Sequence, residues 1–249
     1  MPLPRLVAFD LDGTIWTPDM YELWGGGGAP FRVAPSASAS SAHAHAPRDQ
    51  ALIDRQGNRV TLLGESARIL HELAHAPRWA HVNRAPDAVP AGAALASAEA
   101  APQRVIVAWV SCCDEPTWAD ECLATFTTDA SPWPASTVSS LTQSASSYMR
   151  GSESNCPDDD QKSDDMPLSE PIALAACVNA CDSMIFKANK QTHFKRLRAA
   201  HPHLAFADML FFDNDMSNIH SVSALGVKCV YTPDGMTPEV WAEGLRLFA

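Results

Sequence analysis

The chain has 249 residues, enough for one large α/β domain that buries its own core without staples. With 18 Lys and Arg against 29 Asp and Glu its formal net charge is −11, and no run of bases offers the face that a nucleic-acid backbone or an anionic membrane needs. No apolar run reaches the roughly 18 residues of a spanning helix, MPLPRLVAFDLD lacks a signal peptide's apolar stretch and cleavage site, and seven cysteines, several in apolar runs such as LAACVNAC, read as free thiols in a reducing compartment, so a cytoplasmic location is expected.

In chain order, LVAFD is a short apolar run fit for a buried strand. It ends in FDLDGT, which carries Asp10 and Asp12, a turn at Gly13 and the hydroxyl of Thr14. Residues i and i+2 of a strand share a face, so both acids can point into one cleft. The alternative is a solvated acidic turn, but the apolar run before the acids sets them at the rim of a core. Two like charges held together need a cation or a shared proton. IDRQGNRVTLL follows as two strand-like pieces around Gln56-Gly57-Asn58, a hairpin. ESARILHELA repeats Ile69, Leu70 and Leu73 at helical spacing. RVIVAWV is a continuous β-branched run that ends in Ser111, and PTWADECLATF is helix-like with Trp118, Cys122 and Phe126 four apart. A hydroxyl beside main-chain N–H groups at a helix start is an anion site, though a serine there is equally an ordinary N-cap.

In the last third, SMIF, DMLFFD and VKCVYT read as strands, with THFKRLRAAH, SNIHSVSALG and PEVWAEGLRLF between and after them as helices. Gly226 stands where a C-cap glycine belongs. FFDND places Asp213 at a strand end with Asn214 and Asp215 beyond it. Alone it is as compatible with a turn as with a site; beside FDLDGT, Asp10, Asp213 and a main-chain carbonyl make a hard oxygen cage for Mg²⁺. Lys190 in KANKQTHF can neutralise a phosphate and the crowded carboxylates. Lys187 competes for that role, and lone lysines more often decorate a surface. Between these dense stretches, residues 34–51, 76–103 and 129–171 are rich in Ala, Ser and Pro. We expect them to be flexible surface insertions in a single domain spanning 1–249, since such compositions bury too little apolar area to offset ordering, and loop closure costs little with length.

Strands alternating with helices predict an α/β fold, a doubly wound and mostly parallel sheet. In such sheets chemistry collects beyond the C-terminal ends of the strands, where these polar residues fall. Other signals carry less. Cys112-Cys113 and Cys177/Cys181 lack the spacing of a zinc array, and the latter pair, four apart on an apolar helix, suits core packing. His43 and His45 lie in low-complexity sequence, His193 is satisfied in the core or at the surface, and DDDQKSDD is a solvated loop.

The order Asp-x-Asp, Ser, Lys, Asp resembles the haloacid dehalogenase superfamily, and more closely its small magnesium-dependent phosphatases with a minimal cap. LVAFDLDGTIW, DRQGNRVTLLGESARILHELA, NKQTHFKRL and MLFFDNDMSNIHSVSALGVKCVYTPDGM carry the likeness. It implies a Rossmannoid fold with a flap hairpin, in which TPDMYELWGGGGAPF covers the cleft. Gly25 to Gly28 lack a phosphate-loop pattern and read as flexible chain; Tyr21 or Trp24 could touch substrate or simply pack, with packing the first choice. By the same resemblance Asp10 is the nucleophile and Asp12 the general acid–base. Thr14, which fixes the loop, Ser111, Cys112 and Lys190 form the phosphate-binding set. Asp10, Asp213 and the main-chain carbonyl of Asp12 hold Mg²⁺, with Asn214 and Asp215 in support. The chain departs from the group at Gly13, where tyrosine is usual, at Cys112, where close relatives carry arginine, and at Asn214, commonly an acid. Cys112 at a helix start would also be open to oxidation. The implied activity is a Mg²⁺-dependent phosphomonoesterase, acid phosphatase or protein tyrosine phosphatase, acting through an aspartyl-phosphate on a phosphoprotein or a small sugar phosphate. The alternatives are another phosphoryl transferase of the same fold and a non-catalytic relative that binds a phospho-ligand or a protein. Dehalogenase chemistry does not need the metal that Asp213 suggests, and a mutase normally wants a closing cap.

Overall fold

The computed structural model describes residues 3–35, 50–80, 82–83, 104–133 and 170–248. Most of the three Ala/Ser/Pro-rich tracts, with His43, His45 and DDDQKSDD, lies outside the described residues.

Five strands form the central sheet: β1 (Leu6–Phe9), β6 (Ile106–Ser111), β7 (Ser183–Ile185), β8 (Met209–Asp213) and β9 (Lys228–Tyr231). Their order is β7-β6-β1-β8-β9 and every pairing is parallel. β1 lies in the middle, with Leu6 opposite Ile106 on one side and Met209 on the other. A strand covered on both faces reads as an unbroken apolar run, as LVAF does, and all four of its residues are buried. Val7 and Phe9 face a core completed by α1 (Ser66–His75), α2 (Pro116–Thr125) and α5 (Pro238–Arg246). Leu6 and Ala8 face the opposite core, against α3 (Lys190–Ala200) and α4 (Met216–Ser223). The sheet is therefore doubly wound. On the first face Phe9 stacks on Phe212 with ring centroids 5.4 Å apart, and Trp241 joins Phe212 to Trp79.

A second, antiparallel sheet is inserted between β1 and α1. Its strands β2 (Trp16–Thr17), β3 (Arg32–Val33), β4 (Ala51–Ile53) and β5 (Arg59–Leu62) run in the order β2-β5-β4-β3. The β4–β5 hairpin turns at Asp54–Asn58, as IDRQGNRVTLL predicts, with Gly57 at φ 89°. Asp54 organises it. Its Oδ1 accepts from the N–H groups of Gln56 and Asn58, and its Oδ2 from Gly28 N–H and Asn58 Nδ2. Burial opposes ionisation, but the bonds from Asn58, Gly28 and Gln56 outweigh it and hold this carboxyl below its ordinary value.

Three expectations change here. The second half of the glycine run is packed rather than loose: Gly27 and Gly28 are buried, and a Cβ on Gly28 would lie 2.3 Å from the Trp118 ring, whereas Gly25 and Gly26 are exposed. Cys177 and Cys181 do not share a helix. They lie in separate 3-10 turns, Leu174–Cys177 and Ala180–Asp182, and Cys181 is exposed. Finally, core residues sit inside tracts whose average composition reads as thin. Ala51 is in β4, Trp79 is wholly buried, and Asp129 pairs with Arg68 at 3.1 Å. A single tryptophan in an Ala-rich window buries more apolar area than the window average suggests. Among the described residues Cys112, Cys113, Cys122, Cys177, Cys181 and Cys229 are free, and no helix is long and apolar enough to cross a membrane.

Candidate active site

The C-terminal ends of β1, β6 and β8 open into a cleft of about 320 Å³. β1 continues its ladder one residue further, since Asp10 N–H donates to Phe212 O at 2.9 Å, which holds Asp10 at the mouth of the sheet. The chain then winds back on itself: Ile15 N–H donates to Leu11 O and Gly13 N–H to Trp16 O. Trp16 Nε1 donates to Asp12 Oδ1 at 2.7 Å. Gly13 has φ 71°, and a Cβ there would lie 2.1 Å from Asn214 Nδ2. Two of the positions where the chain departs from the group's pattern, Gly13 and Asn214, thus fill each other's space.

Lys190 is the first residue of α3, whose N-cap Asn189 accepts from Thr192 N–H. Its side chain points back under the sheet ends. Nζ lies 2.6 Å from Asp10 Oδ1, 3.1 Å from Asp213 Oδ2 and 2.6 Å from Val110 O, and the residue is only 2% exposed. Burial works against this charge, but Asp10 and Asp213 more than restore it, so its pKa rises. Lys187 is exposed and pairs with Asp114 at the rim, which decides between the two lysines.

Asp213 lies beneath the cleft floor, fully buried. Its Oδ1 accepts from Asp215 N–H at 2.7 Å, and Asn218 Nδ2 reaches its Oδ2 at 3.1 Å. Burial, then the charge of Asp10, pushes its carboxyl up to about 6. Asp12 is half-buried in the cleft wall. Burial raises its carboxyl to about 7, with the charges of Asp10 and Asp19 adding to the effect and the Trp16 bond opposing it. Ser111 ends β6, nearly buried but lining the cleft. The N-cap of α2 is Glu115, so Ser111 is not a cap.

The remaining predicted residues divide. Asn214 and Asp215 line the cleft, and Asp215 also caps α4 by accepting from Ser217 N–H. Cys112 lines the cleft too, three residues ahead of the α2 cap and so not at a helix start. Its Sγ donates to Ala188 O, and burial pushes the thiol up, which works against the expected oxidation. Thr14 is a correction to the phosphate-binding set. Its hydroxyl is wholly buried against Thr232 at 3.3 Å and faces the loop rather than the cleft. Tyr21 and Trp24 divide: both are about half exposed with ring centroids 6.3 Å apart, Trp24 bonds to Glu115, and Tyr21 lines the cleft.

Sequence reading missed Asn218, which braces Asp213 five residues on, one turn into α4. It also missed the rim acids Asp19 and Asp114. Helical spacing from Asp215 points to Asn218. Nothing local marks Asp19 or Asp114 as cleft residues. Of the described residues that line the cleft, Lys190 is the one cation, against Asp10, Asp12, Asp19, Asp114 and Asp215. An all-oxygen donor set with excess negative charge fits a hard divalent cation.

A family model described as Acid Phosphatase matches residues 2–249. The chain belongs to the acid phosphatase family. Magnesium-dependent phosphatase 1 from Homo sapiens is 40% identical over 65 residues, 26% of this chain and 36% of the human protein. The chain thus aligns with little more than a third of that relative's length. As in other doubly wound sheets, this acid phosphatase family member gathers its polar residues where β1, β6 and β8 end.

Proposed function

We propose that the chain is a Mg²⁺-dependent phosphomonoesterase that uses Asp10 as nucleophile. The observation that carries the reading is the placement of Lys190 Nζ between Asp10 and Asp213, with a protonatable Asp12 beside them. Lys190 engages Asp10 Oδ1, which leaves the other oxygen to attack phosphorus. The bond from phosphorus to the leaving oxygen breaks, and Asp12 gives that oxygen its proton. Asp12, now a carboxylate, takes a proton from water. The water oxygen attacks phosphorus and breaks the bond to Asp10, releasing phosphate and restoring both acids. Ser111 offers its hydroxyl to a phosphoryl oxygen, and Lys190 offsets the charge that develops there. Asp10, Asp213 and the main-chain carbonyl of Asp12 would hold Mg²⁺, which when bound would supply charge neutralisation for the phosphoryl group. Asp12 at about 7 matches the need of a general acid near neutral pH.

The substrate proposed is a phosphomonoester whose phosphate is its one anion, such as a small sugar phosphate. A phosphotyrosine fits if its flanks are not acidic. Acids on the rim, Asp19, Asp114 and Asp215, repel further negative charge, and Tyr21 offers a flat face to a ring. The test is hydrolysis of p-nitrophenyl phosphate by the full chain, with Mg²⁺ or EDTA, wild type beside Asp10→Asn. Turnover that needs Mg²⁺ and is lost in Asp10→Asn is the expected result. A folded wild type no more active than Asp10→Asn on this ester, on sugar phosphates and on phosphotyrosine peptides sinks the reading.

A further inference from the structure

At the far end of the sheet from the cleft, a second group of metal-ligating atoms comes together, which the phosphatase reading does not use. Asp182 ends the one-turn 3-10 helix Ala180–Asp182 that leads into edge strand β7. Its carboxylate is fully buried. One oxygen meets Nε2 of His201, Asn179 Nδ2 reaches the other at 3.5 Å, and the Cys181 thiol bonds to the same carboxylate. His201 is the C-cap of α3, nineteen residues on, and its backbone is pinned on both sides, N–H to Leu197 O and O to Leu204 N–H. Cys181, beside Asp182 in the chain, presents an exposed thiol to the same point. The three ligand atoms lie within 4.8 Å of one another.

A buried carboxylate needs a positive partner. A sulfur, an imidazole nitrogen and a carboxylate oxygen suit a cation of borderline softness, whereas Mg²⁺ prefers oxygen alone. Metal–ligand bonds of about 2.0–2.3 Å place tetrahedral ligands roughly 3.3–3.8 Å apart. Because Cys181 is exposed, rotation of its side chain closes the remaining gap. We infer that Cys181 Sγ, an Asp182 oxygen and His201 Nε2 form a zinc site that ties the start of β7 to the C-terminus of α3. The fourth position is open to water or to His203, an exposed residue whose ring centroid lies 6.0 Å from that of His201. On binding, the Cys181 thiol yields its proton to solvent as the Sγ–metal bond forms; the hydrogen that His201 Nε2 shares with Asp182 leaves Nε2, the neutral ring carries its one N–H on Nδ1 instead, and the freed Nε2 lone pair binds the metal. The site is structural. It anchors the far end of the helix whose first residue is Lys190.

The test uses the full chain, stripped of metal and held in excess Mg²⁺, titrated with Co²⁺ and then with Zn²⁺. We expect one equivalent of Co²⁺ to raise a thiolate-to-metal charge-transfer absorption that Zn²⁺ abolishes. The band should vanish in Cys181→Ser, weaken at least tenfold in affinity in His201→Gln, and persist in Cys112→Ser. Zn²⁺ should raise the melting temperature of the wild type but not of Cys181→Ser, an exposed isosteric change that leaves the apo fold intact by circular dichroism. No band, a band that survives Cys181→Ser, or one that disappears only with Cys112→Ser overturns the site. In that event the Asp182–His201 pair is a structural ion pair on its own.

Discussion

Asp12 shows how one residue carries both a chemical role and a cost. In the folded chain its carboxyl keeps a proton up to about 7, because burial disfavours the charge. In the unfolded chain the same group ionises near its ordinary value of 3.8. Between those values the folded state binds the extra proton, so raising pH through that window removes stability, by up to about 4 kcal/mol before solvent at the cleft mouth reduces it. Asp213, raised to about 6, pushes in the same direction. Four histidines, His71, His75, His193 and His203, are held below their ordinary value by burial and act the other way, so the test is the difference: between pH 5 and pH 8 we expect the urea midpoint of metal-free wild type to fall relative to that of Asp12→Asn. An equal change of midpoint in both proteins would remove the assigned shift. Lys190 is the counterweight: without its ammonium, Asp10 and Asp213 would face each other in the floor of the sheet. Asp10, Asp12, Lys190 and Asp213 were all legible, because each ends an apolar run or starts a helix. Thr14 was read as fixing the loop yet grouped with the phosphate-binding residues, because FDLDGT cannot tell whether the hydroxyl turns to the cleft or to Thr232.

Among the elements, the inserted antiparallel sheet is what shapes the mouth of the cleft. Its hairpin is closed by Asp54, and the Gly25 to Gly28 run is laid onto it by Gly28 N–H to Asp54 and by Arg55 Nε to the carbonyls of Gly26 and Gly27. Trp24 Nε1 then reaches Glu115 Oε1 at 2.9 Å, joining this flap to the loop before α2. Loss of the Asp54 carboxylate leaves three main-chain N–H groups without their acceptor. We expect Asp54→Ala to cost about 3 kcal/mol, read as a lower urea midpoint, and to raise KM for p-nitrophenyl phosphate more than it lowers kcat. A variant with unchanged midpoint and KM would show that the flap does not depend on Asp54. Periodicity identifies the hairpin and the long helices, since each declares itself within about ten residues. It misjudged the glycine run, where low side-chain content reads as freedom although the backbone itself is bonded. It also misjudged LAACVNAC, whose 3-10 turns share an apolar composition with a helix.

Over the whole molecule, the charge of −11 is partly focused at the cleft. A rim of Asp19, Asp114 and Asp215 acts on any ligand before it meets Lys190. Electrostatic steering of this kind changes rates by about tenfold or more and fades with salt. We expect a phosphotyrosine peptide with neutral or basic flanks to show a higher kcat/KM than one with acidic flanks, by roughly tenfold at low ionic strength, with the gap narrowing as salt is added. Equal rates at low salt would mean that the rim acids do not select.

What the sequence determined by itself is the class of the fold and the identity of the acids at its centre. Those follow from local facts: short apolar strands, helices between them, and polar residues at the strand ends of a parallel sheet. Only the tertiary structure decided which lysine is buried, that Gly13 and Asn214 share one space, and that Asn218 braces Asp213. It alone brought Cys181 and Asp182 to His201. These depend on distances between residues far apart in the chain, which are set when two cores pack on opposite faces of one sheet and which no local window contains.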